Sequence, residues 1–260
     1  MGSGETQGRL WGADARAWSE LNEPHCAPIY EAVLDAVGVS DGTTLLDAGC
    51  GAGLAMQLAA KRGAVVTGFD ASAALLEIAR ERNPGADVRQ GDLEQLPFGD
   101  DVFDVVTSFN AVQYAADPVV ALGQLRRVAR PGAPVTVLVW GPAEYCETRS
   151  ILGAIGALLP PPPPGAEGPF ALSDPGRLEA LVEAAGLRAD GVGDAPMTFR
   201  FPDLATAVRA QLTSGPARVA IEHAGEHAVR DALAAAYADN RQADGSYRQH
   251  NVFRYIVARA

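Results

Sequence analysis

A chain of 260 residues, 48% of them hydrophobic, is long enough to bury the core of one α/β domain with an appended cap. A formal net charge of −11 argues against a nucleic-acid partner, because phosphate affinity needs clustered Lys and Arg. There is no apolar run of 18 residues and no signal peptide, which sets aside a membrane partner and points to the cytoplasm. Three cysteines, Cys26, Cys50 and Cys146, are an odd number without metal spacing, so a reducing compartment and no metal are expected. The tilt towards Ala, Gly, Pro, Arg and Asp suggests a bacterial chain.

Met1 to Thr6 formally fits an N-myristoylation pattern. With no second anchor or basic patch, a leader without fixed structure is the better expectation. Residues 9–37 read as two helical pieces broken near Pro24 and Pro28. Trp11, Trp18 and Tyr30 are expected to hold this segment on the main sheet, the alternative being that one of them roofs a ligand. His25, at the break, reads as a structural histidine before a catalytic base.

The stretch Thr44 to Gly53, TLLDAGCGAG, organises the rest of the chain. Its aliphatic start is a buried strand, and Gly49, Gly51 and Gly53 then let the backbone turn sharply and a ligand lie against main chain. The next helix points free N–H groups at that turn. A nicotinamide dinucleotide would need G-x-G-x-x-G, but Leu54 stands at the third position and Asp47 would repel a pyrophosphate. A ligand with a positive ammonium suits Asp47 better.

A second strand, 64–69, leads to Asp70, an acid placed to accept from two ribose hydroxyls. Ser72 N-caps a helix that runs to about Arg82 and is stopped by Asn83-Pro84-Gly85. A third strand, 87–91, leads to Asp92, which can accept from an adenine amine. These acids describe a site for adenosine plus a cation with no place for phosphate, which fits S-adenosylmethionine. Strand four is Phe103 to Phe109, followed by a helix from Pro118 to Ala129 and strand five from Val135 to Trp140. Strands alternating with helices across short links predict a parallel sheet with helices on both faces. Right-handed crossovers place the glycine turn and the acids at one end of it.

Four segments carry a family resemblance: LLDAGCGAG (Leu45 to Gly53), VTGFD, GDLEQLPFGDDVFDVV (Gly91 to Val106) and LRRVARPGAPVTVLVW (Leu125 to Trp140). In order and spacing the chain resembles a class I S-adenosylmethionine-dependent methyltransferase, of the branch containing the ubiquinone/menaquinone-biosynthesis (type 11) enzymes. The resemblance implies a Rossmann-like seven-stranded sheet, mainly parallel with an antiparallel last strand, and a helical cap. It implies methyl transfer to an O, N or C nucleophile of a small-molecule acceptor by a monomer or homodimer. The cofactor-binding residues would be Asp47, Gly49, Gly51, Gly53, Asp70, Ala71, Asp92, Leu93 and Asn110. The acceptor would meet Gln113, Tyr114 and Trp140. Tyr114 stands where the family often has a histidine, so base catalysis from there is in doubt; with a phenol pKa near 10 it suits hydrogen-bond donation. Tyr114 and His25 are the candidate catalytic groups.

Beyond Trp140 the pattern thins. Pro160 to Pro164 reads as a stiff polyproline spacer, Ser173-Asp174-Pro175 opens a helix, and strand six falls at about 187–200. Residues 203–241 give two further helical stretches before a last strand. Three parts are thus expected: an N-terminal helical cap segment (1–43), a core (44–202 and 246–260) and a helical insertion (203–245) that helps to close the substrate pocket. His223 and His227 at i and i+4 invite a metal reading, but H-A-G-E-H is not H-E-x-x-H and solvated helix surface is the expectation. Two alternatives to small-molecule transfer are a protein that binds S-adenosylmethionine without transferring methyl, and a protein or RNA methyltransferase.

Overall fold

The computed structural model describes residues 2–161 and 167–260. Seven strands form one sheet: β1 (Thr44–Ala48), β2 (Val65–Asp70), β3 (Asp87–Gln90), β4 (Val105–Phe109), β5 (Pro134–Trp140), β6 (Arg188–Phe201) and β7 (Tyr247–Arg259). Their spatial order is β3-β2-β1-β4-β5-β7-β6. The first five run parallel, while β7 is antiparallel to both of its neighbours. The expected seven-stranded Rossmann-like sheet is therefore present, its last strand reversed.

Burial explains the central strands. Every residue of β4 and β5 is buried, the continuous apolar run that a sheet covered on both faces requires. Neighbouring side chains point to opposite faces, so Leu45 and Val105 join one core while Leu46 and Val106 join the other.

Eleven α-helices are present among the described residues. Before the sheet come α1 (Gly4–Gly12), α2 (Ala15–Leu21) and α3 (Ala27–Ala36), with a 3₁₀ turn at Glu23–Cys26. Within the parallel part lie α4 (Leu54–Ala60), α5 (Ala73–Arg82) and α6 (Pro118–Val128). Ser72 caps α5 as expected, accepting from Leu75 N–H at 3.3 Å. After β5 come α7 (Arg149–Gly156) and α8 (Arg177–Ala184); between β6 and β7 come α9 (Leu204–Leu212), α10 (Gly215–Ala224) and α11 (Glu226–Ala236). None of the helices among the described residues is long and apolar enough to cross a membrane.

Four expectations need correction. The leader forms α1, anchored by a hydrogen bond from Gly4 N–H to the Asp92 carboxylate at 2.8 Å. Residues 9–37 hold parts of three helices, not two: the expected break beside Pro24 and Pro28 lies between Leu21 and Ala27, and Pro28 itself sits in the first turn of α3, where its missing N–H costs nothing. Residues 203–241 hold three helices, because Gly225 adopts φ +87° and ends α10. His223 and His227 therefore lie on two different helices, not on one face. Of the proline run, Pro162 to Pro164 lie outside the described residues.

Candidate active site

The strand order reverses between β1 and β4, and a ligand crevice belongs at the carboxyl ends of the strands flanking that point. A cavity lies there, lined by the strand tips and by the N-terminal segment. It runs over the tips of the sheet from the β3 end to the β7 end. Of the expected residues, it gathers Gly49, Asp70, Ala71, Asp92, Leu93, Asn110 and Tyr114 into its wall.

The turn after β1 shows why its residues are glycines. Gly49, Gly51 and Gly53 have φ of +84°, +53° and +80°, the left-handed region that side chains disfavour. At Gly49 a Cβ would also collide with Ala111 from the loop after β4. Gly51 and Gly53 shape the turn without lining the cavity. Gly51 N–H donates to Asp70 Oδ2 at 2.9 Å, and the Gly53 carbonyl accepts from Asn83 Nδ2 at 3.0 Å.

Asp70 ties two strand tips together, its other oxygen accepting from Ser72 N–H at 2.8 Å. Burial raises its carboxyl above the ordinary range, against the pull of the Ser72, Gly51 and Ala71 N–H groups. Asp92 accepts from Gly4 N–H on one oxygen and from Glu94 N–H, at 3.0 Å, on the other. A carboxylate has about four lone-pair sites, so both acids retain acceptor capacity.

Asp47 sits beneath the turn, 1% exposed and outside the cavity wall. Its pKa is raised to about 7, first by burial; the Thr107 hydroxyl, donating at 2.8 Å, opposes this, and the charges of Asp70 and Glu23 add to it.

Glu23 is the acid that sequence reading missed. It is 2% exposed, lines the cavity, pairs with Arg82 and accepts from Leu54 N–H at 3.3 Å. Burial raises its carboxyl too, with Arg82 opposing. Its only signal in the sequence is an acid immediately before Pro24 at a helix break.

Asn110 holds a positive φ of +56°, its N–H bonded to the Leu138 carbonyl at 2.7 Å. Gln113 is not among the residues of the cavity wall and donates to Asn110 Oδ1 at 2.8 Å, so it supports Asn110. Tyr114 lines the cavity edge-on to Trp11, ring centroids 5.3 Å apart, and burial raises its phenol. That direction removes it further from base chemistry.

Two of the remaining expected residues lie outside the cavity wall. His25 is outside the cavity wall: Nε2 meets the Arg200 backbone at 3.1 Å, Nδ1 meets the Asn22 carbonyl at 3.1 Å, and Phe199 and Phe201 lie edge-on to the ring. With both nitrogens engaged by backbone, it fastens the 3₁₀ turn to β6. Trp140 is buried against Phe253, Phe170 and Phe199 and serves the core. By contrast, Trp11, Trp18 and Tyr30, expected mainly to anchor the N-terminal segment, all face the cavity.

The methyltransferase-domain family model matches residues 46–137. A malonyl-[acyl-carrier protein] O-methyltransferase of Erwinia pyrifoliae is 32% identical over 69% of this chain and 64% of its own length. An uncharacterized protein of Mycobacterium bovis is 31% identical over 80% of this chain and 77% of that one. A Bacillus halodurans protein of solved structure shares the fold, with a TM-score of 0.60 at 17% identity over 88% of this chain and 97% of that one. The chain spans about two thirds or less of the length of the curated methyltransferases it matches first. A glycine turn at the switch point, acids at the next two strand tips and these likenesses lead to one family: the chain belongs to the class I S-adenosylmethionine-dependent methyltransferases of the type 11 kind.

Proposed function

We propose that this protein transfers a methyl group from S-adenosylmethionine to a nucleophilic O, N or C atom of a small-molecule acceptor. One observation carries the reading. Glu23, Asp47 and Asp70 lie close enough for Asp47 to feel the charge of both others, and all three carboxyls are raised. Among the described residues, Arg82 is the only cation paired with any of them. Such a surplus of buried negative charge is costly and is relieved by a ligand bearing positive charge. A sulfonium and an ammonium fit that requirement; a pyrophosphate does not.

In this reading Asp70 offers its free lone pairs to the ribose hydroxyls and Asp92 to the adenine amine. Ala71 and Leu93 flank the base, and Gly49 lets the methionine portion approach the main chain. Asn110 faces that portion from the opposite side of the switch point. When bound, the cofactor supplies a methyl made electrophilic by the sulfonium, whose departing electron pair stays on sulfur. The chain's own contribution is to position the acceptor and keep water out, and proximity of this kind lowers a barrier by about 7–11 kcal/mol. Methyl transfer to an already nucleophilic atom does not require a general base, which would add about 10²–10⁴.

Calorimetric titration with S-adenosylmethionine tests the reading. Uptake by the intact protein that is lost on Asp70→Ala supports it, and absence of uptake by the intact protein would falsify it. Release of S-adenosylhomocysteine on adding an acceptor then separates transfer from binding alone.

A further inference from the structure

Across the strand tips from β1 to β7 the cavity wall changes character. Phe109, Leu138 and Phe253 face it from β4, β5 and β7, and Cys26 and Tyr30 face it from the N-terminal segment. Tyr30 lies flat against Phe109, ring centroids 4.7 Å apart and planes 14° from parallel, so one wall of this end is a stacked aromatic pair. Among the described residues the protic side chains here are the Tyr30 hydroxyl and the Cys26 thiol, and the thiol donates to Met197 Sδ at 3.8 Å. Burial pushes the thiol up to about 12 and the phenol well above its ordinary value, so both stay neutral.

No Lys, Arg or His lines the cavity at any point among the described residues, and its charged wall groups, Glu23, Asp70 and Asp92, are all acids. An acceptor carrying a carboxylate or phosphate would surrender its hydration here with no cation to replace it, and would meet like charge across the cavity. A neutral ring surrenders little hydration and gains apolar contact on several sides.

We propose that the acceptor is a neutral, ring-bearing, apolar compound with a single hydroxyl or comparable nucleophile, and that the Tyr30 hydroxyl is the positioning group that orients it. This rests on the methyl-transfer reading, since it assigns the acceptor end of the same cavity. Tyr30 acts by hydrogen bonding and takes no proton: as the O–CH₃ bond forms and the S–CH₃ electron pair goes to sulfur, the proton of the acceptor hydroxyl is released to solvent water.

The test uses the full chain saturated with S-adenosylhomocysteine at pH 7.5 and three probes of one shape: 2-naphthol, 2-naphthoate and naphthalene. The neutral naphthol should bind at least ten times more tightly than naphthoate. Tyr30→Phe should weaken naphthol about fivefold, the worth of one hydrogen bond, and leave naphthalene unchanged; its undiminished uptake of S-adenosylhomocysteine certifies its fold. Equal or tighter binding of naphthoate, or binding of neither naphthol nor naphthalene, overturns the acceptor class. A naphthol affinity indifferent to Tyr30→Phe overturns the role of Tyr30. If S-adenosylhomocysteine itself does not bind, both readings fall together, whereas failure of the probes on loaded protein removes only this one.

Discussion

The β3-β2-β1 half of the cavity and the β4-β5-β7 half are built from the same sheet with opposite chemistry. The first concentrates carboxylates: Asp70 and Asp92 in the wall, Asp47 beneath, Glu23 reaching in from the 3₁₀ turn. The second offers aromatic and aliphatic faces with two neutral protic groups. On the proposed function, the contrast separates tasks: fixed charge where a cationic cofactor would be held, neutral surface where an acceptor would be positioned. Variants on the charged side should therefore act on cofactor affinity and stability, and variants near the boundary should act on turnover alone.

Asp70→Ala should give the largest effect. On the proposed reading it removes the carboxylate that would accept from two ribose hydroxyls, and it leaves the Gly51 and Ser72 N–H groups of the turn without their acceptor. Hydrogen bonds to a charged acceptor are worth about 1.5–3 kcal/mol each. A loss of at least about 10³ in S-adenosylmethionine affinity is expected by calorimetry. A loss below tenfold would mean that the charged half does not hold the ribose.

Glu23→Gln comes next and reads out as stability. The amide can still accept from Leu54 N–H, but the Arg82 guanidinium, 24% exposed, loses its counter-charge. Breaking a buried pair from one side costs about 3–5 kcal/mol, and the partial exposure of Arg82 sets the expectation at about 3 or below. Urea unfolding of the ligand-free protein should show it as a lower midpoint with an unchanged slope. An unchanged midpoint would make Glu23 a purely ligand-facing acid.

The two halves also differ in how far they can be read from sequence. Asp70 and Asp92 are legible because each follows a short strand in a local pattern, and the three glycines because their spacing demands a turn. The five parallel strands are legible to within one or two residues for the same reason. Glu23, Tyr30 and Phe253 are not, because they reach the cavity from segments far apart in the chain. Leu138 is hidden inside a strand whose every residue is buried, where a cavity wall and a core look alike. His25 and Trp140 draw attention by residue type, yet backbone hydrogen bonds and aromatic neighbours fix both elsewhere. The helix boundary at Gly225 is hidden because a single glycine with positive φ ends one helix inside a stretch that otherwise reads as continuous.

Asp47 gives a smaller, pH-resolved effect. In the ligand-free fold its carboxyl holds a proton up to about pH 7 that the unfolded chain, at the ordinary value of 3.8, gives up sooner. Its contribution to stability is therefore full below about pH 4, falls as pH rises to about 7, and is flat above. A cationic ligand lowers this pKa, so cofactor binding should release part of a proton just below pH 7 and none well above. Titrations in buffers of different ionisation enthalpy measure that release, and Asp47→Asn should abolish it. Proton uptake on binding would contradict the sign.

Tyr114→Phe should have the smallest effect and defines where charge chemistry ends. The ring keeps its edge contact with Trp11, and the carbonyl of residue 114 keeps the hydrogen bond from Ser3 Oγ at 2.6 Å, since neither involves the hydroxyl. Only a hydrogen-bonding group is lost, worth about 0.5–1.5 kcal/mol, so turnover should fall by no more than about tenfold. Because burial raises the phenol, the pH profile should keep its shape. A general base would behave differently: its removal costs about 10²–10⁴ and deletes a limb of the profile. A loss of that size, with S-adenosylmethionine affinity intact, would move acid–base chemistry to the boundary between the two halves and end the proposal that this protein works by positioning alone.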